Sequence, residues 1–480
     1  MRILHAAAEY QGIAKTGGLA DMVAALSTAL NTLDCDIRVC VPAYAGAQEL
    51  LLNPKTLGQF TQQGYLIGVI EGRLATDGPL LWLLDCAELY GRSGNPYRGA
   101  DGVEFIDNAQ RFGIFGAAVA RLARGFPDLP RSRWRPDVVH LHDWHAALAA
   151  VWLAQQVVRP RIIYTIHNLQ HQGVFDREQF DALQLRPEWW HPESLEFYGG
   201  FSFMKAGLIY SDAITTVSPT YAREIQTPAY GHYLDGLLRS RTQLLHGIVN
   251  GIDESVWNPA DDILIPAHYN RQSVAAGKMK NKQALQRALG LPLAEVPLVI
   301  FIGRLADQKG ADLILAAQRE ILEMPLQFVM LASGDTVLEK SCLAWASAQP
   351  SRVAVRLQVD EPLAHQLTAA ADLQLMPSRF EPCGLNQMYA QRYGTIPVVR
   401  NTGGLADTVV DSNPTTLEAA TATGVTFEHA DVGGVLYGLR RALDLVAVDK
   451  IRAALRHNGM SRDFSWRASA QLYLDLYRAG

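Results

Sequence analysis

Short uninterrupted runs of apolar residues alternate along the chain with segments whose apolar positions recur every three or four residues. The runs predict buried strands of parallel sheets, and the segments between them predict helices that cover both faces. Eleven runs are predicted as strands, namely 2–8, 36–42, 80–85, 137–143, 161–167, 213–218, 297–303, 326–333, 352–358, 373–377 and 396–400. The pattern therefore predicts an α/β protein.

The strand–helix pattern starts again near residue 250, after the stretch L-L-H-G-I-V-N-G-I-D. We therefore predict two doubly wound, Rossmann-like domains, residues 1–245 and 246–461, that face each other across a cleft. Ligands of such sheets bind at the carboxyl ends of the strands, so functional loops should directly follow strands. The polar segment 411–425 predicts a loop, and the last residues, from Phe464 onward, predict an amphipathic helix.

Composition excludes several classes of function. The 480 residues carry a net charge of −5, without the basic surplus that is typical of nucleic-acid-binding proteins. The five cysteines are scattered, which favours reduced thiols in the cytosol and shows no zinc-ligand spacing. The sequence shows neither a signal peptide nor an apolar run of membrane-spanning length, so we expect a soluble cytoplasmic protein without a metal cofactor.

The motif K-T-G-G-L-A-D at 15–21 precedes an amphipathic helix predicted over 19–33. Gly17 and Gly18 allow a ligand to approach the backbone, and the helix start with Lys15 favours an anion. A glycine-rich turn with a surface lysine is the alternative interpretation. Six of these residues recur as T-G-G-L-A-D at 402–407, which predicts a second ligand-facing glycine loop.

A pair of cations follows the predicted strand 297–303, in I-G-R-L-A-D-Q-K-G. Arg304 can bind phosphate oxygens bidentately, while Lys309 supplies a point charge, so the pair suits a diphosphate. A solvated charged loop remains the alternative.

The stretch M-P-S-R-F-E-P-C-G-L-N-Q follows the predicted strand 373–377. Glu381, in a proline-flanked turn, can accept hydrogen bonds from sugar hydroxyls, and Cys383 and Gly384 place backbone amides before a predicted helix. A purely structural turn is the alternative.

Two further strands end in V-H-L-H-D-W-H and Y-T-I-H-N-L. Asp143 and Trp144 suit a sugar, as a hydroxyl acceptor and a stacking ring, and His167 and Asn168 follow the next strand. A zinc site on His140, His142 and His145 is the less favoured alternative, because no matching ligand cluster is evident. The basic segment 278–282 is predicted to be an exposed helix surface, with a role in the cleft as the alternative.

Nine motifs together resemble one family. They are KTGGLAD, HDWH, the HN of TIHNLQHQG, VSPTYAREI, the NGID of LLHGIVNGID, GRLADQKG, SRFEPCGLNQ, NTGGLADTV and DFSW, and they occur in this order in bacterial glycogen synthases and plant starch synthases. The resemblance runs from residue 1 to about residue 475. It implies a GT-B fold whose C-terminal helix, 462–480, crosses back to the first domain. It also implies transfer of glucose from ADP-glucose to the non-reducing end of an α-1,4-glucan such as glycogen, with retention of configuration.

The resemblance also implies roles for individual positions. The diphosphate would be held by Lys15, Gly17, Gly18, Arg304 and Lys309. The donor sugar would be bound by Glu381, Cys383, Gly384 and Leu385, with Thr402, Gly403 and Gly404 capping the donor site. His167 would lie near the reacting carbon, and the acceptor or sugar site would be lined by Tyr97, Asp143, Trp144, Asn168 and Asn250. No metal is implied.

Three alternatives stay open at this stage. The enzyme could use UDP-glucose, since 359–362 lacks the aromatic residue that often stacks on adenine in bacterial synthases. It could act on short maltooligosaccharides. It could also be a non-catalytic glucan-binding member of the fold.

Overall fold

The chain forms two compact units in the computed structural model, which describes residues 1–125, 134–358 and 360–479. Unit 1 comprises Met1–Val217, Ala222–Gly251 and Trp466–Gly480, and unit 2 comprises Ser218–Tyr221 and Ile252–Ser465. Apart from the short segment Ser218–Tyr221, the chain changes units at 251/252 and 465/466, a few residues after the predicted 245/246 and 461/462. Both crossings are tied together within unit 2, where the Ile252 amide donates to the Phe464 carbonyl at 2.8 Å.

The bounds of the strands and α-helices are as follows. The strands are β1 (Arg2–Ala6), β2 (Asp36–Pro42), β3 (Leu52–Gln62), β4 (Tyr65–Arg73), β5 (Leu80–Asp85), β6 (Val138–His142), β7 (Arg161–Ile166), β8 (Val174–Phe175), β9 (Glu196–Phe197), β10 (Gly200–Ser202), β11 (Ala213–Thr216), β12 (Leu245–Gly247), β13 (Leu298–Leu305), β14 (Gln327–Gly334), β15 (Val353–Arg356), β16 (Leu373–Met376), β17 (Ile396–Arg400) and β18 (Val425–Phe427). The α-helices are α1 (Gly18–Thr32), α2 (Ala87–Tyr90), α3 (Asn108–Ala123), α4 (Asp143–Ala154), α5 (Arg177–Ala182), α6 (Phe203–Tyr210), α7 (Pro219–Glu224), α8 (Asp235–Ser240), α9 (Val274–Leu289), α10 (Ala311–Ala316), α11 (Gln318–Leu322), α12 (Thr336–Ala348), α13 (Glu361–Ala370), α14 (Asn386–Arg392), α15 (Gly403–Thr408), α16 (Pro414–Glu418), α17 (Val432–Ala447), α18 (Asp449–Met460) and α19 (Trp466–Arg478). Among the described helices, none is long and apolar enough to span a bilayer.

Unit 1 is built on a nine-stranded sheet in the order β12-β11-β7-β6-β1-β2-β5-β4-β3. The chain begins in the middle at β1, adds strands on one side and then returns to the other side with β6. The sheet therefore has its switch point between β1 and β6, where the loops that follow the two strands diverge and leave room for a ligand. Strands β3 and β4 form an antiparallel hairpin, and β4 also pairs antiparallel with β5. The apolar pattern did not predict this hairpin, because polar, exposed positions interrupt it.

Unit 2 contains a parallel sheet in the order β15-β14-β13-β16-β17-β18. Its chain also begins in the middle of the sheet, at β13, and adds strands first on one side and then on the other. Its switch point lies between β13 and β16, so the loops after these two strands are neighbours. All eleven predicted strands are present in the two sheets. The segment 411–425 is only partly a loop, because it contains α16, which Asn413 caps by accepting from the Thr416 amide.

Each unit has its own hydrophobic core. In unit 1 the terminal helix α19 buries Trp466, Ala470, Tyr473, Leu474 and Tyr477 in the cluster that also contains the inner face of α1. This packing explains why the end of the chain belongs to unit 1. A second large cluster lies between the sheet and helices of unit 2.

The prediction of an exposed basic surface at 278–282 holds for Lys280, which is exposed, but is wrong for Lys278 and Lys282. Lys278 is only 2% exposed, and its Nζ donates to Thr395 Oγ1 at 2.6 Å and to three backbone carbonyls. Lys282 forms an ion pair with Asp372 at 2.7 Å. The apolar stem of lysine lets it lie in the interior when its ammonium is satisfied, which no local sequence pattern reveals. These lysines therefore hold α9 on the sheet.

Candidate active site

The loop after β1 is held by a carboxylate that the sequence analysis did not select. Glu9 is buried, and its carboxylate accepts from the Thr16 amide and hydroxyl, both at 2.6 Å, and from the Gly17 amide at 3.3 Å. Tyr97 also donates to it, at 2.5 Å. The available signal was an acidic residue directly after a buried strand at the switch point. Glu9 thus fixes the backbone of the glycine loop, beside which Lys15 pairs with Asp21 at 2.7 Å.

The two T-G-G-L-A-D copies have different surroundings. A Cβ added at Gly17 or Gly18 would meet no heavy atom within 4 Å, so the first copy is open to a ligand. A Cβ at Gly403 or Gly404 would lie 2.0 Å from the carbonyl oxygen of Glu381 or Cys383, respectively. The second pair of glycines is therefore explained by close backbone packing rather than by an open face.

The two aspartates that end the copies also differ in their partners. Asp21 pairs with Lys15 inside its own motif. Asp407 instead accepts from both the amide and the hydroxyl of Thr220 at 2.7 Å, a contact that lies within unit 2. The repeated sequence is thus used twice for different contacts.

In unit 2, the switch point brings Lys309 and Glu381 together. Lys309 Nζ donates to Glu381 Oε2 at 2.6 Å, and Ser378 Oγ donates to the same oxygen at 3.0 Å. The Glu381 side chain is only 6% exposed, compared with 22% for Lys309. The glutamate is therefore rigidly placed, with a cation fixed beside it.

Arg304 lies at the end of β13, and Lys309 lies in the turn that follows this strand. Arg304 is the first cation of the pair. Its Nη2 donates to Gln308 Oε1 at 3.3 Å, while Gln308 Nε2 donates to the Phe380 carbonyl. Arg379 makes two hydrogen bonds to Asp312, at 2.8 and 2.7 Å. These contacts join the segment that carries Lys309 to the segment that carries Glu381, and Arg304 is exposed.

The turn before α14 is shaped by one glutamine. Gln387 Nε2 donates to the carbonyls of Cys383 and Gly384 at 3.1 and 3.0 Å, and to Thr408 Oγ1 at 3.0 Å. Gly384 has φ +69°, a backbone conformation that is unfavourable for residues with a side chain. Leu385 precedes α14, and the buried Thr402 precedes α15, so the predicted donor-sugar residues of unit 2 form one cluster. Their contact with a sugar stays a prediction.

Asp143 turns the chain sharply from β6 into α4. It has φ +53°, and its Oδ1 accepts from the His167 amide at 2.8 Å, so the predicted sugar-site residues of neighbouring strands do meet. The amide of Asn168 also bonds to this carboxyl. Burial raises the pKa of Asp143 from 3.8 to about 7.

Aromatic rings line the same region of unit 1. Tyr97 stacks on His145 with ring centroids 4.8 Å apart, and His145 lies 4.1 Å from Trp144. Asn250, which was also predicted to line the acceptor or sugar site, is buried. Its Oδ1 makes no hydrogen bond within the described residues. His145 therefore packs between two predicted sugar-site rings, and among the described residues the histidines close enough to share a metal ion are His5, His140 and His142.

The raised pKa of Asp143 predicts a pH dependence of stability. Between about pH 4 and pH 7 the folded state binds a proton that the unfolded chain has lost, so the free energy of unfolding should fall as pH rises. The slope is at most about 1.4 kcal/mol per pH unit. We expect Asp143→Asn to flatten it in urea unfolding measured from pH 4 to 8. The exposed Asp77→Asn serves as control; parallel curves for wild type and Asp143→Asn would contradict the prediction.

Comparison with known proteins matches both units. The family model described as starch synthase catalytic domain covers residues 2–240, and the model glycosyl transferases group 1 covers residues 283–458. Glycogen synthase 1 of Methylococcus capsulatus is 45% identical, with 100% of this chain and 96% of that protein aligned. Glycogen synthase of Thioalkalivibrio sulfidiphilus is also 45% identical, with 100% and 99% aligned.

Solved structures give the same result. The catalytic domain of starch synthase IV from Arabidopsis thaliana, bound to ADP and acarbose, superposes with a TM-score of 0.88 at 33% identity, covering 99% of this chain and 98% of that one. Sucrose-phosphate synthase from Thermosynechococcus elongatus shares the fold, with a TM-score of 0.59 at 18% identity over 100% of both chains.

Proposed function

Because this chain belongs to the family of bacterial glycogen synthases and plant starch synthases, we propose that it transfers glucose from ADP-glucose to the non-reducing end of an α-1,4-glucan, with retention of configuration. The predicted GT-B fold class and the predicted glycosyltransferase class are confirmed by the same matches. We further propose that the protein acts in the cytoplasm, on glycogen or a similar glucan.

The observation that supports this proposal most directly is the pair of Lys309 and Glu381 at the switch point of unit 2. A protein that only binds glucan has no need of fixed cations beside a buried carboxylate. A nucleotide-sugar transferase needs both, since the cations serve the diphosphate and the carboxylate accepts from sugar hydroxyls.

The reaction places its developing charge on the leaving diphosphate. Preorganised cations at that point lower the barrier more than any other single contribution. We assign this role to Arg304, whose planar group binds two oxygens, and to Lys309, which acts as a point charge. The assignment of Lys15, Gly17 and Gly18 to the diphosphate stays a prediction.

Retention of configuration is proposed to proceed by front-face attack. A hydroxyl of the glucan forms the new bond to the anomeric carbon, the bond from that carbon to the phosphate breaks, and the proton passes to the departing phosphate. Glu381 Oε2 already accepts from Lys309 and Ser378, which suits a fixed sugar ligand better than a nucleophile. A glucosyl adduct trapped on Glu381, Asp143 or Cys383 would contradict this route.

The donor preference is tested by incubating the protein with glycogen and either ADP-glucose or UDP-glucose. The amount of nucleoside diphosphate released is then measured. Val359, in the stretch without the adenine-stacking aromatic residue, lies outside the described residues, so the preference for ADP rests on family membership. We expect faster release of ADP than of UDP, and longer glucans as products. Retention on glycogen without nucleotide release would instead identify a glucan-binding protein.

We also propose that the transfer needs no metal ion, because the protein's own cations neutralise the leaving group. After dialysis of the protein against EDTA, the rate of ADP release should stay within twofold of the rate before dialysis. A loss of activity that added Mg²⁺ or Mn²⁺ restores would contradict this proposal.

A further inference from the structure

Three histidines form a hydrogen-bonded row across the switch point of unit 1. His5 Nδ1 lies 2.9 Å from His142 Nε2, and His142 Nδ1 lies 3.1 Å from His167 Nε2. The three residues belong to the carboxyl-end regions of β1, β6 and β7, which are adjacent around the switch point. His5 and His142 are 0% exposed, whereas His167 is half-buried. The row thus runs from the interior toward the predicted sugar site.

All three imidazoles are neutral at physiological pH. Burial lowers the pKa of His5 and His167 to about 3, and it lowers the pKa of His142 well below its ordinary value. A neutral imidazole has one N–H donor and one acceptor nitrogen. Each hydrogen bond of the row therefore fixes the proton position of the next ring, and only two arrangements satisfy both bonds.

The inner end of the row distinguishes these two arrangements. His5 Nε2 is buried and has no hydrogen-bond partner among the described residues. If the protons pointed inward, a buried N–H would be left without an acceptor, at a cost of about 1–3 kcal/mol. If they point outward, the same atom is only an unused acceptor, which proteins tolerate more often. The outward arrangement is therefore favoured.

We propose that His5 and His142 are positioning residues that hold His167 as a neutral imidazole with its proton on Nδ1. His5 Nδ1–H donates to His142 Nε2, and His142 Nδ1–H donates to His167 Nε2. His167 then presents an uncharged N–H donor, whose acceptor is a hydroxyl or ring oxygen of the donor sugar. The identity of that acceptor rests on the proposed function; the position of the proton does not.

A metal ion is the competing explanation for this cluster. Ligand nitrogens of His5, His140 and His142 all lie within 4.8 Å of one another. However, His140 Nδ1 lies 2.7 Å from the Tyr477 hydroxyl, and its Nε2 lies 2.5 Å from Thr165 Oγ1. Five of the six ring nitrogens are thus already in hydrogen bonds, and a metal would have to break several of them. The geometry favours the row.

The direct test is the tautomer of His167 in the full-length protein. Nitrogen-15 NMR of histidine-labelled protein, assigned with His167→Gln, reports which ring nitrogen carries the proton. We expect Nδ1–H, without titration between pH 5.5 and 8. A proton on Nε2, or one zinc ion retained per chain after dialysis with zinc, would overturn the proposal. This measurement needs no turnover, so an inactive protein with the expected tautomer would refute only the proposed function.

Two variants at position 142 separate positioning from packing. The amide nitrogen of His142→Asn reproduces the Nδ1 donor, whereas that of His142→Gln corresponds to Nε2 and loses it. We expect His142→Asn to keep kcat within about fivefold of wild type. We expect His142→Gln to lower kcat about 10- to 100-fold, because it loses the hydrogen bond to His167. KM for glycogen should change less than threefold in both. Equal kcat values for the two variants, with the exposed His457→Gln as control, would overturn the proposal.

Discussion

Replacing Lys309 with alanine is expected to lower kcat for glucosyl transfer by about 10- to 150-fold. The physical reason is the loss of a charged hydrogen bond to the leaving diphosphate, worth about 1.5–3 kcal/mol. Arg304→Ala is expected to act on the same scale. The measurement is the initial rate of ADP release at saturating glycogen, and activity within twofold of wild type would contradict the phosphate assignment.

Lys309 also neutralises Glu381, so the two roles must be separated. Lys309→Ala leaves a carboxylate that is 6% exposed without its cation, which should cost about 1–3 kcal/mol of stability. The double variant Lys309→Ala/Glu381→Gln removes this cost, so its urea midpoint should recover while its kcat stays about 10-fold or more below that of Glu381→Gln alone. Lys340→Ala, an exposed lysine on α12, is the matched control. Equal kcat values for the double variant and Glu381→Gln would show that Lys309 serves only Glu381.

Gly404→Ala is expected to destabilise the protein by about 3 kcal/mol, whereas Gly18→Ala should change stability by less than about 0.5 kcal/mol. The methyl group at Gly404 would lie 2.0 Å from the Cys383 carbonyl oxygen, and backbone atoms of a packed turn yield only at a cost. The methyl group at Gly18 meets no atom within 4 Å at the start of α1. Urea unfolding of the two variants measures the difference.

The same pair of variants distinguishes the uses of the repeated motif in catalysis. If the donor approaches the first glycine loop, Gly18→Ala should raise KM for ADP-glucose several-fold despite its unchanged stability. Gly404→Ala should lose activity in parallel with its folded fraction. Wild-type KM in Gly18→Ala would contradict a ligand at the first loop, and a fully stable Gly404→Ala would contradict the packing argument.

Much of the fold could be predicted because it depends on local patterns. Buried parallel strands are apolar on both faces, so runs such as 297–303 stand out without any knowledge of the partners. The hairpin β3–β4 could not be found in this way, since its polar positions face solvent and its pairing depends on β5. The same holds for Lys278, whose burial is decided by carbonyl groups about ninety residues or more away in sequence.

The candidate site, too, was predictable from the sequence only in part. Its loops were predictable because cations, glycines and carboxylates directly follow strands, and strand ends meet at switch points. The contacts within each loop were not predictable. Glu9 follows a buried strand, but nothing local showed that it holds the glycine loop. His5 had no distinguishing local pattern, yet it begins the histidine row.

The sequence by itself determined the class of fold, the family and the positions of the functional loops, because these depend on residue types at fixed spacing. Only the tertiary structure decided that the two T-G-G-L-A-D copies differ, that Lys309 lies 2.6 Å from Glu381 and that three imidazoles form one row. Hydrogen bonds and steric exclusion act over a few ångströms, and folding brings within that range residues that are far apart along the chain.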